Sequence, residues 1–150
     1  MKKNLFDPVI LQEVLIRLDK IQPDTEALWG KMNAAQMFAH CAEVLETYAG
    51  RKKLKIPWYA HLMKGMIYKV VFGDQPYNKN APTLPQFKKL QNVDFESKKQ
   101  RLLDSIDHFY KMDELELSSV VHPLFKNISR GDRGWAMYKH LDHHLNQFGV

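Results

Sequence analysis

Three histidines lie within five positions near the C-terminal end of the chain, at His140, His143 and His144. The surrounding residues, Lys139 to Gln147, are predicted to lie on the last helix. Because an α-helix turns by about 100° per residue, His140 and His144 project from one face about one turn apart. Imidazoles with this spacing can bind one divalent metal ion together. Geometry alone favours His144 over His143 only slightly, since both positions lie near the face of His140.

A third ligand should come from another helix, and His40 is the natural candidate. It lies in the middle of an apolar stripe that includes Met37 and Val44. Three histidines leave coordination positions for water or substrate, which is typical of a catalytic ion. A single histidine on an apolar face is more often an ordinary core residue, and histidines in the last turns of a helix also stabilise its dipole. The helical pair favours the metal site over both alternatives.

Two polar residues could assist such a site. Glu43 follows His40 by one turn and could act as a general base or orient an imidazole. Its alternative is a solvated surface carboxylate. Gln147 lies one turn beyond His143 and His144 and could hydrogen-bond to a ligand, or it could be a surface residue at the helix end.

Apolar periodicity predicts helices along almost the whole chain. The first runs from about Pro8 to about Lys20, and the second runs to about Tyr48 from an Asn33 cap that is paired with Gln36. The apolar segment from Pro57 to Phe72 is predicted as a third helix packed over one end of the domain. Asp94 caps a helix that ends at about Lys111, and Ser129 with Asp132 forms a capping box for the last helix. Residues 75–84 and 115–124 contain prolines and are predicted as loops.

These elements predict an all-α protein, namely a four-helix bundle with an additional helical insert. The 150 residues amount to a single domain, 1–150, which can bury its core without a disulfide or a structural metal. A bound metal would therefore serve function.

Composition limits the cellular location and the binding partners that the sequence predicts. The single cysteine, Cys41, excludes an internal disulfide and favours a cytoplasmic location, and Asp7 and Pro8 interrupt any signal peptide. The net charge of +5 raises the question of an anionic partner. The basic clusters, Arg51 to Lys55 and Lys98 to Arg101, belong to no nucleic-acid-binding motif, so no nucleic-acid partner is predicted.

The segment from Ile56 to Phe72 is too polar for stable membrane insertion. It carries His61, Lys64 and Lys69. Its seventeen residues are also short of the roughly 20 apolar residues that a spanning helix typically has. A packed helix is favoured over an interfacial membrane helix.

Two segments, Leu28 to His40 and Tyr138 to Phe148, together resemble the DinB-like superfamily of metal-dependent proteins, and more narrowly a branch of domains of unknown function. The resemblance implies an up-down-down-up bundle. It also implies that His40, His140 and His144 bind a divalent ion, usually zinc, nickel or manganese, that Gln147 matches a trailing glutamine, and that His143 is not a ligand. Leu145 stands where many members carry arginine, so an anion contact by that arginine is not implied here.

Some members of that superfamily are thiol S-transferases and another is a metal-dependent hydrolase. The resemblance therefore implies a mononuclear metal-dependent enzyme with a small-molecule substrate, such as a low-molecular-weight thiol. The alternative is a non-enzymatic bundle that binds a ligand or protein partner through Arg51 to Lys55 and Ile56 to Phe72, with the metal incidental. Formation of a homodimer stays open.

Overall fold

The computed structural model describes residues 2–79 and 94–150, and the regular elements in these ranges are helices. In chain order they are α1 (Pro8–Asp19), α2 (Ala34–Tyr48), α3 (Trp58–Leu62), α4 (Lys64–Phe72), α5 (Phe95–Lys111), α6 (Glu114–Ser119) and α7 (Arg130–Gln147). No strand occurs within the described ranges, so the predicted all-α class is confirmed.

The long helices begin at the predicted caps. Asn33 accepts a hydrogen bond from the backbone N–H of Gln36 at 2.9 Å, and the Gln36 side chain accepts one from Asn33 at 3.0 Å. Asp94 accepts from the backbone N–H of Ser97 at 2.7 Å. Ser129 caps α7, but the Asp132 carboxylate contacts the Ser129 hydroxyl rather than its backbone N–H, so only half of the predicted capping box forms.

Helix α2 is the centre of the core. It packs most extensively against α5 and also contacts α7. Every residue of α2 is buried except Gln36, Glu43 and Glu46. The stripe that includes His40 is therefore enclosed, and His40 is 4% exposed.

Two predicted elements differ from the structure. The single helix over 57–72 is wrong, because Met63, at φ −95° and ψ 9°, separates α3 from α4. The glycine at position 65 is a weak helix former and favours this break. The loop over 115–124 is wrong in its first half, because a capping box between Asp113 and Glu116 starts α6.

The loop predicted over 75–84 is non-helical through residue 79, and the rest of it lies outside the described residues. Within the described ranges, no helix combines the length and the apolar character needed to cross a membrane.

The C-terminal end of α4 is fastened to α7 by two side chains. The Lys139 ammonium donates to the carbonyl oxygens of Val70 at 2.6 Å and Gly73 at 2.9 Å, and the Trp135 indole donates to Phe72 at 3.1 Å. The last carbonyls of a helix carry a partial negative charge and otherwise lack partners, so a cation there is favourable. This contact holds the end of α4 beside the helix that carries His140 and His144.

Candidate metal centre

The structure brings together three of the histidines singled out by the sequence. His40 comes from α2, and His140 and His144 come from α7, one turn apart. One ring nitrogen of each lies within 4.8 Å of the corresponding nitrogens of the other two. The Nε2 atoms of His40 and His140 are 3.1 Å apart, and the three ring centroids are separated pairwise by 4.7 to 5.0 Å. The nitrogens thus surround one common point.

Burial keeps these imidazoles neutral at ordinary pH. His40 and His144 are buried, and His140 is half-buried. Burial, together with the neighbouring imidazoles, lowers the pKa of His40 to about 4 and that of His144 to about 3, and it places the pKa of His140 well below its usual value. Only the neutral ring has a lone pair to offer a metal ion. The three rings are therefore in the protonation state that ligation requires.

Gln147 fixes the tautomer of His144. The Gln147 side-chain amide donates from Nε2 to the carbonyl oxygen of Trp29 at 2.7 Å, which turns its Oε1 toward His144 Nδ1 at 2.8 Å. Because that oxygen can only accept, Nδ1 must carry the hydrogen, and Nε2 keeps its lone pair. Gln147 is 4% exposed, so this orientation is held inside the protein. Gln147 is thus a hydrogen-bonding partner of His144, and its role at a metal site stays a prediction.

His143 lies beside the cluster but outside the group of converging nitrogens. Its ring centroid is 5.1 Å from that of His144, 6.0 Å from that of Trp29 and 5.6 Å from that of Tyr77. The ambiguity between His143 and His144 that helical spacing left open is thus decided geometrically in favour of His144 as the member of the cluster.

The structure does not bring Glu43 into contact with the three imidazoles. Its carboxylate faces Lys52, with 3.4 Å between Oε1 and the ammonium, on the same partly exposed side of α2 as Glu46. Among the described residues, no carboxylate contributes to the pKa shifts of His40, His140 or His144. A general-base role for Glu43 stays a prediction from the sequence.

An aromatic side chain that sequence reasoning missed stands next to the cluster. The Tyr77 ring centroid lies 6.5 Å from that of His140, edge-on, and the Lys139 ammonium sits 4.5 Å from the Tyr77 centroid. Burial raises the pKa of Tyr77 to about 12, so the phenol stays protonated. The sequence predicted a loop here, but a loop pattern does not reveal which part of the fold it crosses.

Trp29 is a second aromatic residue near the cluster, with its ring beside that of His143. The Trp29 carbonyl accepts a hydrogen bond from the Gln147 side chain. The backbone N–H of Leu28 donates to the Gln147 carbonyl at 2.8 Å. Gly30, which follows Trp29, has φ +85°. A positive φ is easily adopted by glycine and lets the chain turn sharply into α2. The Lys79 ammonium lies 4.6 Å from the Trp29 ring.

Comparison with known proteins gives one match. A family model described as "Protein of unknown function (DUF1569)" matches residues 6–149. No curated protein and no solved structure matches the chain.

Proposed function

Since the chain belongs to the DUF1569 family, whose function is unknown, we propose a function from its site. We propose that the protein is a mononuclear divalent-metal-dependent enzyme that acts on a small molecule, transferring a low-molecular-weight thiol to an electrophile or hydrolysing its substrate. The observation that carries this proposal is the convergence of three neutral imidazoles on one point.

The residues present fit a divalent ion. His40, His140 and His144 would hold it, and Gln147 would hold His144 in the required tautomer, as outer partners of metal-binding histidines commonly do. Zinc, nickel and manganese all accept imidazole nitrogen, so the donor set alone does not select one of them. A bound ion would supply Lewis acidity that lowers the pKa of a thiol or a water molecule.

The protein's own residues favour an anionic reactant with an apolar part. Three neutral ligands cancel none of the ion's positive charge, and Lys79 and Lys139 add cations over the two aromatic rings. The rings of Trp29 and Tyr77 offer apolar surface beside the cluster. Enzyme pockets commonly combine such apolar walls with a few placed polar groups.

The proposal extends to the fold and its ancestry. We propose that α1, α2, α5 and α7 form an up-down-down-up bundle within a single domain over 1–150, with α3 and α4 as the insert, and that the family is a branch of the DinB-like superfamily. Support comes from the order of the helices and from the positions of the three histidines on the second and last long helices.

Activity should depend on the metal and on the cluster. We expect protein loaded with zinc, nickel or manganese to consume a low-molecular-weight thiol in the presence of an electrophilic acceptor, or to hydrolyse a substrate from a small-ester and small-amide panel. The His140→Ala/His144→Ala double variant should be inactive, and His61→Ala, which alters an exposed histidine outside the cluster, should retain activity. Metal binding with no turnover on either panel would favour the non-enzymatic binding bundle.

Replacing Gln147 should weaken metal binding without abolishing it. Gln147→Leu removes the acceptor for His144 Nδ1, and loss of an outer partner of this kind costs about 10–100-fold in metal affinity. Competition with a chromophoric chelator measures the change. Gln147→Glu keeps the acceptor but loses the donor to Trp29, so we expect it to retain metal affinity while lowering the melting temperature. Equal affinity in Gln147→Leu and the parent would contradict the role assigned to Gln147.

A further inference from the structure

Helices α3 and α4 carry an exposed row of large apolar side chains. Trp58, Leu62, Met66 and Val70 follow one another at intervals of four residues, with 77%, 79%, 59% and 50% of their surface exposed. Scattered apolar residues on a surface are ordinary, but a contiguous group is typical of a binding surface. The sequence predicted a segment packed over the domain, and this outward row is the face of that segment that the domain does not cover.

The opposite side of the same segment holds it to the body of the protein. Phe72 is buried against Phe125, with ring centroids 5.1 Å apart, and Ala60 is also buried. Ile67 and Val71 are partly buried against the core. The segment is therefore amphipathic with respect to the fold, and its outer apolar residues are presented by helices that are already anchored.

The same region accounts for the net positive charge of the chain. Residues 47–73 contain six lysine and arginine residues and no aspartate or glutamate, whereas the net charge of the whole chain is +5, so the remainder is slightly negative. Arg51, Lys52, Lys53, Lys64 and Lys69 are exposed. Lys52 pairs with Glu43 and Glu46, which lie just before this segment.

We propose that residues 51–70 form a surface that binds an anionic lipid bilayer peripherally. Lysines flanking tryptophan, leucine and methionine side chains are the composition of helices that lie in the membrane interface, where the apolar groups enter the headgroup boundary and the lysines meet anionic lipid. Exposed tryptophan and tyrosine also prefer this depth, and Trp58 and Tyr59 stand together at the start of α3. None of the described helices can span the bilayer, so the contact is with its surface.

Charge and composition favour lipid over other occupants. A second copy meeting this face about a two-fold axis would place two strongly basic surfaces together, which is repulsive. A nucleic acid would satisfy the lysines but would leave Leu62, Met66 and Val70 in water. An anionic bilayer satisfies both the charge and the apolar row.

Vesicle co-sedimentation of the full chain tests the proposal. We expect binding to phosphatidylcholine vesicles that contain about one third phosphatidylserine, weak binding to pure phosphatidylcholine, and loss of binding at high salt. Lys64→Glu/Lys69→Glu and Leu62→Ser/Met66→Ser should each weaken binding by more than about tenfold. Matched controls are Lys111→Glu and Leu115→Ser, which alter an exposed lysine and an exposed leucine outside this surface and should bind as the parent does.

Several results would overturn the proposal. These are equal binding to neutral and anionic vesicles, no binding to either, or unchanged binding by both surface variants. A dimer that Leu62→Ser/Met66→Ser dissociates, detected by light scattering, would show that a second copy covers the row. Circular dichroism melts should stay close to that of the parent for all four variants, because each altered side chain is exposed and the ion pair that Lys111→Glu breaks is a surface pair of small energy.

Discussion

Protein purified without a metal-affinity tag and incubated with zinc should contain one ion per chain, and the His140→Ala/His144→Ala double variant should contain none. Each single replacement, His40→Ala, His140→Ala or His144→Ala, should lower metal affinity by more than about 100-fold, because loss of a mere outer partner already costs about 10–100-fold. Plasma mass spectrometry of the purified proteins gives the stoichiometry, and chelator competition gives the affinity.

The matched control is His143→Ala. His143 is on the same helix as His140 and His144 and lies beside the histidine cluster, but its nitrogens do not belong to the converging group. Its replacement should therefore change metal affinity far less than replacement of His144. Equal losses at the two positions would overturn the ligand assignment, and parent protein that takes up no zinc, nickel or manganese would overturn the metal site.

Metal-free protein should unfold at mildly acidic pH. His122, which lies between α6 and α7, is buried like His40 and His144. Burial lowers the pKa of His40 and of His122 to about 4 and that of His144 to about 3, and it places the pKa of His140 well below its usual value. Each group binds its proton in the unfolded chain near pH 6.5 but not in the folded chain, so its contribution to stability is complete above about pH 6.5 and is lost as the pH falls toward 4.

The size of this effect follows from the number of groups. Each proton bound only in the unfolded state changes the free energy of unfolding by about 1.4 kcal/mol per pH unit, so these four histidines should lower it by roughly 5 kcal/mol per unit near pH 5.5. His143, whose pKa burial also lowers, acts in the same direction. Since a domain has about 5–15 kcal/mol in total, we expect acid unfolding above pH 4. Urea unfolding at a series of pH values measures the slope.

The His140→Ala/His144→Ala variant is also the control for acid unfolding. It lacks two of the four groups, so its slope should be about half that of the parent, whatever its absolute stability. An unchanged slope would mean that these two imidazoles are not held neutral in the folded protein. Saturating zinc should move the transition of the parent, but not that of the variant, to lower pH.

The elements that sequence predicted well are set by local interactions. The hydrogen bonds between Asn33 and Gln36 join residues three positions apart, and the same is true of Asp94 and Ser97. Such caps and the helical period can be recognised within a few turns of chain. Asp113 and Glu116 form an equally local signal for α6, but Val120, Val121 and Pro123 follow closely and favour a loop.

The candidate metal site also combines a local feature with a long-range one. The spacing of His140 and His144 on one helix is local, so the sequence showed that they share a face. His40 is 100 positions away from His140, and its place beside them depends on how α2 packs against α7. The helical stripe and the family resemblance indicated this residue, but only the packed structure gives the distances.

The aromatic and lysine side chains near the cluster could not be predicted, because nothing local specifies their position. Tyr77 reaches His140 through the path of the chain after α4, and Trp29 is positioned by Gln147, which is 118 residues later. Lys139 is buried although it is a lysine, since the carbonyl oxygens of Val70 and Gly73 satisfy its ammonium. The sequence of α7, in which Lys139 is the single lysine, gives no sign that its partners are backbone atoms elsewhere in the chain.

Lys139 links two parts of the protein: the segment of α3 and α4, which carries the exposed lysines and apolar side chains, and the helix that carries His140 and His144. Its ammonium holds the end of α4, and the next residue along α7 is His140. Under the proposed bilayer contact, a shift of α4 would be passed through these hydrogen bonds to the helix that carries His140 and His144. Thermodynamic reciprocity then requires that any factor by which lipid changes the metal affinity equals the factor by which metal changes the lipid affinity. Titrating either ligand in the presence of the other gives the same coupling free energy.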